Sequence, residues 1–243
     1  MPKPCILVSS CKRDVENGMN LAVRDTWATD SKLPYFFILG DGNRQQWADE
    51  VLLNVPDDYL SLPFKTKHSI EWAVRCGFTH IFRAFTDTFI DTHRLLYDSN
   101  YASHPYIGNR SKDGFVHGGP GYWLGPKAIK ILIDAPIEKS KFENDKYEDQ
   151  WVGRVLALHG IHCRDDKNYS MGWSYGLDEQ DPLETNEIIT VHLSGESSGQ
   201  YDKDWMGQVY AKRYKLPYKP TVPRLKGCNC KRCQKAALDK ATF

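Results

Sequence analysis

Short, wholly apolar runs alternate with amphipathic stretches over the first ninety residues. Residues 5–10 (CILVSS) form an apolar run ending in small polar residues, the pattern of a buried strand that opens into a loop. Residues 14–29 carry Leu21, Val23 and Trp27 and predict a single helix. Residues 35–40 (YFFILG) predict a second buried strand, closed by Asp41-Gly42. Residues 63–77 predict a long helix with Ile70, Ala73 and Val74 turned inward and Gly77 as its stop signal. Residues 79–85 (THIFRAF) predict a third strand that delivers Thr86, Asp87 and Thr88 at its C-terminal end. The order β-α-β-α-β with apolar strands predicts an α/β protein: a mostly parallel central sheet flanked by helices. Ligands of such sheets bind beyond the strand C-termini, where Ser9–Ser10, Gly40–Asp41 and Asp87 converge.

The second half is less regular. Residues 116–125 (VHGGPGYWLG) are glycine-rich and lead into a predicted helix through Ile133. Residues 149–158 have helical periodicity, with Trp151, Val152, Val155 and Leu156 on one side, and residues 188–193 (IITVHL) predict a last strand. The 243 residues suit one α/β domain plus extensions better than two domains. Charge sharpens that division. Nine Lys or Arg and no acid lie between Lys212 and Lys235, so a net charge of +1 leaves about −8 on the remainder. The expected organisation is a folded domain over residues 1–213 and a basic, Pro- and Cys-containing extension over 214–243.

Seven cysteines follow no disulfide framework, and Cys5 and Cys76, within apolar stretches, read as reduced, buried thiols. Cys228, Cys230 and Cys233 lack a fourth ligand at zinc spacing. No signal-peptide pattern follows Met1, and no apolar stretch approaches the roughly 18 residues of a membrane span. These features predict a cytoplasmic protein with no membrane span.

Six short elements carry a resemblance. Residues 24–27 read RDTW, 57–66 DDYLSLPFKT, 82–90 FRAFTDTFI, 118–125 GGPGYWLG and 147–153 YEDQWVG, and His192 lies in a late VHL. In this order they resemble R-x-T-W, D-x-Y-x-N-L-x-x-K-T, K-x-D-D-D-T-F-V, G-G-x-G-Y, E-D-V-x-x-G and the late histidine of the β-1,3-galactosyltransferase/Fringe family. The resemblance implies a GT-A, Rossmann-like nucleotide-sugar-binding fold and a glycosyltransferase activity (hexosyl- or pentosyltransfer). It also implies a nucleoside-diphosphate sugar donor, a divalent cation and inversion at the transferred sugar. Family members are membrane-anchored and disulfide-bonded, so this chain reads as a soluble bacterial, viral or phage relative. Its acidic triplet departs from the family pattern: Phe85-Thr86-Asp87 keeps one carboxylate of three.

The chemistry assigns roles to these positions, each beside a plainer alternative. A departing diphosphate needs a hard cation, and Mn²⁺ or Mg²⁺ takes oxygen ligands, Mn²⁺ also imidazole. Asp87 with His192 would be the protein's ligands, with Asp91 as a possible addition; Asp87 otherwise serves as a turn residue and His192 as a strand histidine. An inverting transfer needs a general base, which the family places at Asp149 with Glu148 beside it. The alternative is a pair of acids favouring a helix N-terminus. Arg24 and Lys65 are candidate phosphate contacts, or else surface charges. Ser9, Asp41, Thr86, Gly118 and Gly119 complete the donor site, Gly118, Gly119 and Gly121 by letting backbone approach a sugar or by forming a turn. Trp123 stacks on a sugar or belongs to the core. The acceptor is a glycan or, given the basic extension, a hydroxymethylated base in DNA swung out of its stack. Loss of two acids also admits a catalytically degenerate protein that only binds nucleotide or glycan.

Overall fold

A computed structural model describes residues 1–42, 45, 47–137, 147–172, 187–193 and 200–217. The apolar run near the N-terminus forms β1 (Pro4–Ser9), buried from Cys5 onward. The segment expected as one helix is two, α1 (Lys12–Glu16) and α2 (Met19–Arg24), separated at Asn17-Gly18. Gly18 takes a left-handed φ of 74°, which ends the first helix and re-aims the second. Val23 and Trp27 are buried as expected, but Leu21 is 48% exposed. β2 (Tyr35–Leu39) and β3 (Glu50–Leu52) follow. A short 3₁₀ turn (Tyr59–Ser61), capped by the Asp58 side chain on the Ser61 amide, feeds α3 (Leu62–Arg75), with Pro63 in its first turn. α3 buries Ile70 and Ala73, while Val74 faces solvent. Gly77, at φ 86°, follows its last turn.

β4 (His80–Phe85) and β5 (Thr88–Ile90) bracket the acidic segment. Then come α4 (Thr92–Tyr97), β6 (Tyr106–Gly108), β7 (Tyr122–Leu124), α5 (Pro126–Asp134) and α6 (Glu148–Leu158). β8 (Arg164–Asp165), β9 (Tyr169–Ser170), β10 (Thr190–His192) and α7 (Gln200–Tyr214) complete the described elements. The main sheet has seven strands in the order β3-β2-β1-β4-β7-β6-β8. β3, β2, β1 and β4 are mutually parallel, and β7 runs antiparallel to both β4 and β6. The α/β class with a mostly parallel central sheet flanked by helices is therefore correct. A second sheet, β5-β10-β9, stands beside it.

Each face of the main sheet has its own core. Cys5, Leu7, Ile81, Tyr122 and Leu124 pack with Ile70, Ala73, Leu132, Trp151 and Leu156 of α3, α5 and α6. Ile6, Val8, Phe82, Ala84 and Trp123 pack on the other face with Val23, Trp27, Met206 and Val209. The alternation along β1 and β4 divides these side chains between two helical layers. Strand order reverses about β1: the chain proceeds through β2 and β3 on one side, then returns to add β4 on the other. That reversal opens a crevice beyond the C-termini of β1 and β4.

Cys5, Cys11, Cys76 and Cys163 carry free thiols; Cys5 is buried as expected, whereas Cys76, at the end of α3, is exposed. The expected boundary at 213/214 falls inside the last turn of α7, and the cysteines at 228, 230 and 233 lie outside the described residues. No helix among the described residues is long and apolar enough to cross a membrane.

Candidate active site

The crevice holds a cleft of about 680 Å³. Its floor is the end of β1 (Ser9, Ser10) and of β4 (Phe85, Thr86, Asp87). One wall comes from Cys11, Arg13 and Asp14 around α1, the other from Asp57–Tyr59, Lys65 and the start of α6 at Tyr147–Asp149. Gly118, Gly119 and His192 close it.

Two groups of polar side chains meet across adjacent glycines. The Gly118 amide donates to Asp149 Oδ2 at 2.9 Å. The next residue, Gly119, packs on the His192 ring so closely that a Cβ there would lie 2.5 Å from Nδ1. Its carbonyl accepts from the Thr88 hydroxyl at 2.7 Å, pinning the loop to β5. Gly121, at φ 81°, makes the turn possible, and the Gly121 amide closes it on the Gly118 carbonyl at 2.9 Å. One peptide unit therefore joins the surroundings of Asp149 to those of His192.

Asp149 lies in the first turn of α6, with Oδ1 accepting from the Gln150 amide at 2.8 Å. Burial, followed by the charge of Glu148, lifts its carboxyl to about 6, against the two amide hydrogen bonds and Arg83. Such a carboxylate is ionised at neutral pH yet retains real proton affinity, as a general base requires. Glu148 itself is buried: Oε1 accepts from the Thr66 hydroxyl at 2.8 Å and from the Tyr122 hydroxyl, with Arg83 Nε at 3.5 Å. Among the described residues, its Oε2 has no partner, nor has Nη2 of Arg83. The Arg83 guanidinium lies beneath Phe85, 4.0 Å from the ring centroid. Phe85 replaces the first acid of the expected triplet and covers this buried network.

On the other side of the glycines, His192 Nε2 and Asp87 Oδ2 are 3.3 Å apart. β10 pairs with β5 so that His192 lies opposite Thr88, and the Leu193 amide donates to the Asp87 carbonyl at 2.8 Å. Among the described residues, Asp87 Oδ1 and His192 Nδ1 are buried without a partner, which suits a pair that would share a cation. The described residues hold no group of three or more His, Cys, Asp or Glu at metal-binding spacing. Two protein ligands, Asp87 and His192, would leave the rest of a cation's shell to phosphate oxygens and water. Thr86 donates to Asp14 Oδ2 at 3.0 Å, bringing a further carboxylate from α1 towards Asp87. Burial raises the Asp14 carboxyl, as does the charge of Asp87, while the Thr86 hydrogen bond opposes both.

Several expected positions stand elsewhere. Arg24 is absent from the cleft lining. It donates to Asp49 (2.6 and 2.9 Å) and Glu50 (2.9 Å), with its guanidinium over Phe37 and Trp47. Asp41 is exposed outside the cleft, its amide on the Val55 carbonyl. Asp91 is absent from the cleft lining; it caps α4 and pairs with Arg213 at 2.7 Å. Trp123 is fully buried against Tyr101 and Phe82. Lys65 does reach the cleft, buried, but its ammonium is committed to Asp57 and to the Ser10 carbonyl at 2.9 Å. Asp57 also accepts from the Lys12 amide at 2.9 Å and the Gly40 amide at 3.2 Å, joining both walls to β2. Asp14, Asp57 and Tyr147 were not singled out by the sequence, although Asp57 and Tyr147 fall within its motifs.

Solved structures share this architecture. A glycosyltransferase involved in glycosylation of the major capsid of PBCV-1 matches with a TM-score of 0.53 at 13% identity, over 84% of this chain and 100% of that one. The glycosyltransferase GlyE of Streptococcus pneumoniae TIGR4 matches at 0.51 and 11% identity, over 92% of this chain and 66% of its own. The fold is that of GT-A glycosyltransferases. No protein-family profile matches the sequence, and neither does any curated protein. In the GT-A arrangement seen here, the cleft at the β1/β4 reversal is the natural ligand site of the sheet.

Proposed function

We propose that this chain is a glycosyltransferase that moves a sugar from a nucleoside-diphosphate sugar to an acceptor hydroxyl, with inversion and with Mn²⁺ or Mg²⁺. The observation that carries the reading is the junction at Gly118-Gly119. It sets a carboxylate with proton affinity near neutrality beside the Asp87–His192 pair.

Charge supports the cation. Apart from the Asp57–Lys65 pair, Asp14, Asp58, Asp87, Glu148 and Asp149 line the cleft against Arg13. A diphosphate entering such a site needs a countercharge that these side chains do not supply. Asp87 and His192 would hold the cation, whose charge would stabilise the departing diphosphate. Arg13, whose side chain is 79% exposed, supports placing the phosphates along the α1 wall. Asp149 takes the proton of the acceptor hydroxyl as that oxygen attacks the anomeric carbon. The Gly118 and Gln150 amides fix both of its oxygens, so the base is already aimed before the acceptor arrives.

The test is release of nucleoside diphosphate from a panel of nucleotide sugars, with Mn²⁺ or with chelator. Release from one donor, lost with chelator, is expected. Asp149→Asn should lower turnover by about 10²–10⁴-fold, the usual weight of a general base, with nucleoside-diphosphate affinity kept. A variant of full activity would remove Asp149 from the role. Metal-independent nucleotide binding without turnover would favour a protein that binds and does not catalyse.

A further inference from the structure

The Asp149 wall of the cleft carries two tyrosines that the transfer chemistry leaves unused. Tyr59 opens the turn before α3 and Tyr147 precedes α6. Both line the cleft, yet they are 61% and 46% exposed. Their ring centroids are 6.1 Å apart at 83°, an edge-to-face corner. The corner is firmly mounted. Asp58 accepts from both the amide and the hydroxyl of Ser61, fixing the turn under Tyr59. The Tyr147 carbonyl accepts from the Trp151 amide at 3.2 Å in the first turn of α6. Two stiff rings on helix N-termini offer contact area at little entropic cost.

Their neighbours are carboxylates. Asp57 and Asp58 adjoin Tyr59, and Glu148 and Asp149 follow Tyr147. Apolar ring faces beside hydrogen-bond acceptors match a sugar ring, which offers a C–H face to the aromatic and hydroxyl donors to the acids. A polyanion finds the reverse. Phosphates brought to this wall meet like charge, since Lys65, buried beneath it, is already neutralised by Asp57.

We propose that Tyr59 and Tyr147 form the acceptor subsite, and that it takes the terminal ring of a neutral glycan with one hydroxyl facing Asp149. The inference rests on the glycosyl-transfer reading above. In the step it serves, the acceptor oxygen forms a bond to the anomeric carbon and yields its proton to Asp149. The bond from that carbon to the diphosphate breaks, and the electron pair leaves with the nucleoside diphosphate.

The experiment uses the full chain with Mn²⁺ and reads saturation-transfer NMR to a panel of neutral methyl glycosides, alongside titration with nucleoside diphosphates. Wild type should bind at least one glycoside, and Tyr59→Ala/Tyr147→Ala should weaken it about tenfold or more, about 1.4 kcal/mol in affinity. Tyr147→Phe, which keeps the ring face, should retain binding. The alanine pair should keep nucleoside-diphosphate affinity, which also reports an intact cleft. Three results would overturn the subsite: no glycoside bound by wild type, undiminished glycoside binding in the alanine pair, or a tenfold loss of nucleoside-diphosphate affinity in that pair. The last would assign the rings to the donor's base. Hydroxymethylated duplex DNA displacing the glycoside at physiological salt would overturn the neutral class. If the transfer reading alone is wrong, the signature differs: glycoside binding depends on the tyrosines, but wild type releases no diphosphate from any donor.

Discussion

Asp149 has two physical descriptions with opposite consequences for stability. An acid in the first turn of a helix contributes about 0.3–1 kcal/mol through the helix dipole, and its removal costs that much. A partly buried carboxylate raised from 3.8 to about 6 does the reverse. Its folded-state proton affinity exceeds that of the unfolded chain, so stability is lost as pH rises from 4 through 6. At about 1.36 kcal/mol per unit the penalty above pH 7 is on the order of 3 kcal/mol. Asp149→Asn keeps an oxygen for the Gly118 amide, gives up the acceptor for the Gln150 amide and removes the buried charge, the larger effect. The expected outcome is an inactive protein whose Tm at pH 7.5 is a few degrees higher, with the gain shrinking below pH 6 and gone near pH 4. Thermal melts of both proteins across that range check it, and a lower Tm for the variant at pH 7.5 would favour the dipole description. The same carboxyl sets the acid limb of the rate profile. Turnover should fall as pH drops through about 6. Glu148→Gln removes the nearest negative charge and should move that limb to lower pH, as measured by kcat/KM against pH.

Among the elements, the glycine loop makes the sharpest prediction, because neighbouring glycines face different partners. A Cβ on Gly119 would lie 2.5 Å from the His192 ring, whereas one on Gly118 would sit 3.3 Å from Asp149 Oδ2. Gly119→Ala should therefore displace His192 and lower Mn²⁺ affinity about 10–100-fold, the range for a disturbed ligand shell. Gly118→Ala should change Mn²⁺ affinity much less; electron paramagnetic resonance titration of free Mn²⁺ measures both. The glycine-rich stretch was legible in the sequence, but its direction was not. The same holds for the fold. β1, β2, β4, α3 and α6 announce themselves because each is buried along its length or along one face. β3, β5 and β7, three residues each, carry too few positions for a period and form through distant partners. The break at Gly18 was invisible against the helical spacing on either side. At residue level, RDTW gave Arg24 but not the side of α2 it occupies, and it pairs with Asp49 and Glu50 at the start of β3. Asp14 meets Thr86, 72 positions away, in the cleft, a pairing that no local spacing announces.

At the scale of the whole molecule, the parts of the chain differ in what they contribute. α7 supplies Met206, Val209 and Ala211 to the core beside α2, and Arg213 from its last turn holds Asp91 and the Ile188 carbonyl at 3.1 Å. The pairing of Asp91 with Arg213 fixes the end of β5 and the start of α4, next to the β5–β10 pair that positions His192. The helix is thus tied to the cleft through one ion pair and a shared core. Six of the nine basic residues counted between Lys212 and Lys235 follow Pro217. A chain ending at Pro217 should retain the Tm and the donor turnover of the full protein. A chain ending at residue 199 should lose both, since deleting α7 exposes buried apolar surface and leaves Asp91 without Arg213. If the shorter deletion abolished donor turnover while the melt stayed unchanged, the basic extension would be part of the catalytic machinery. The acid-rich cleft would then have a source of positive charge outside the α/β layers.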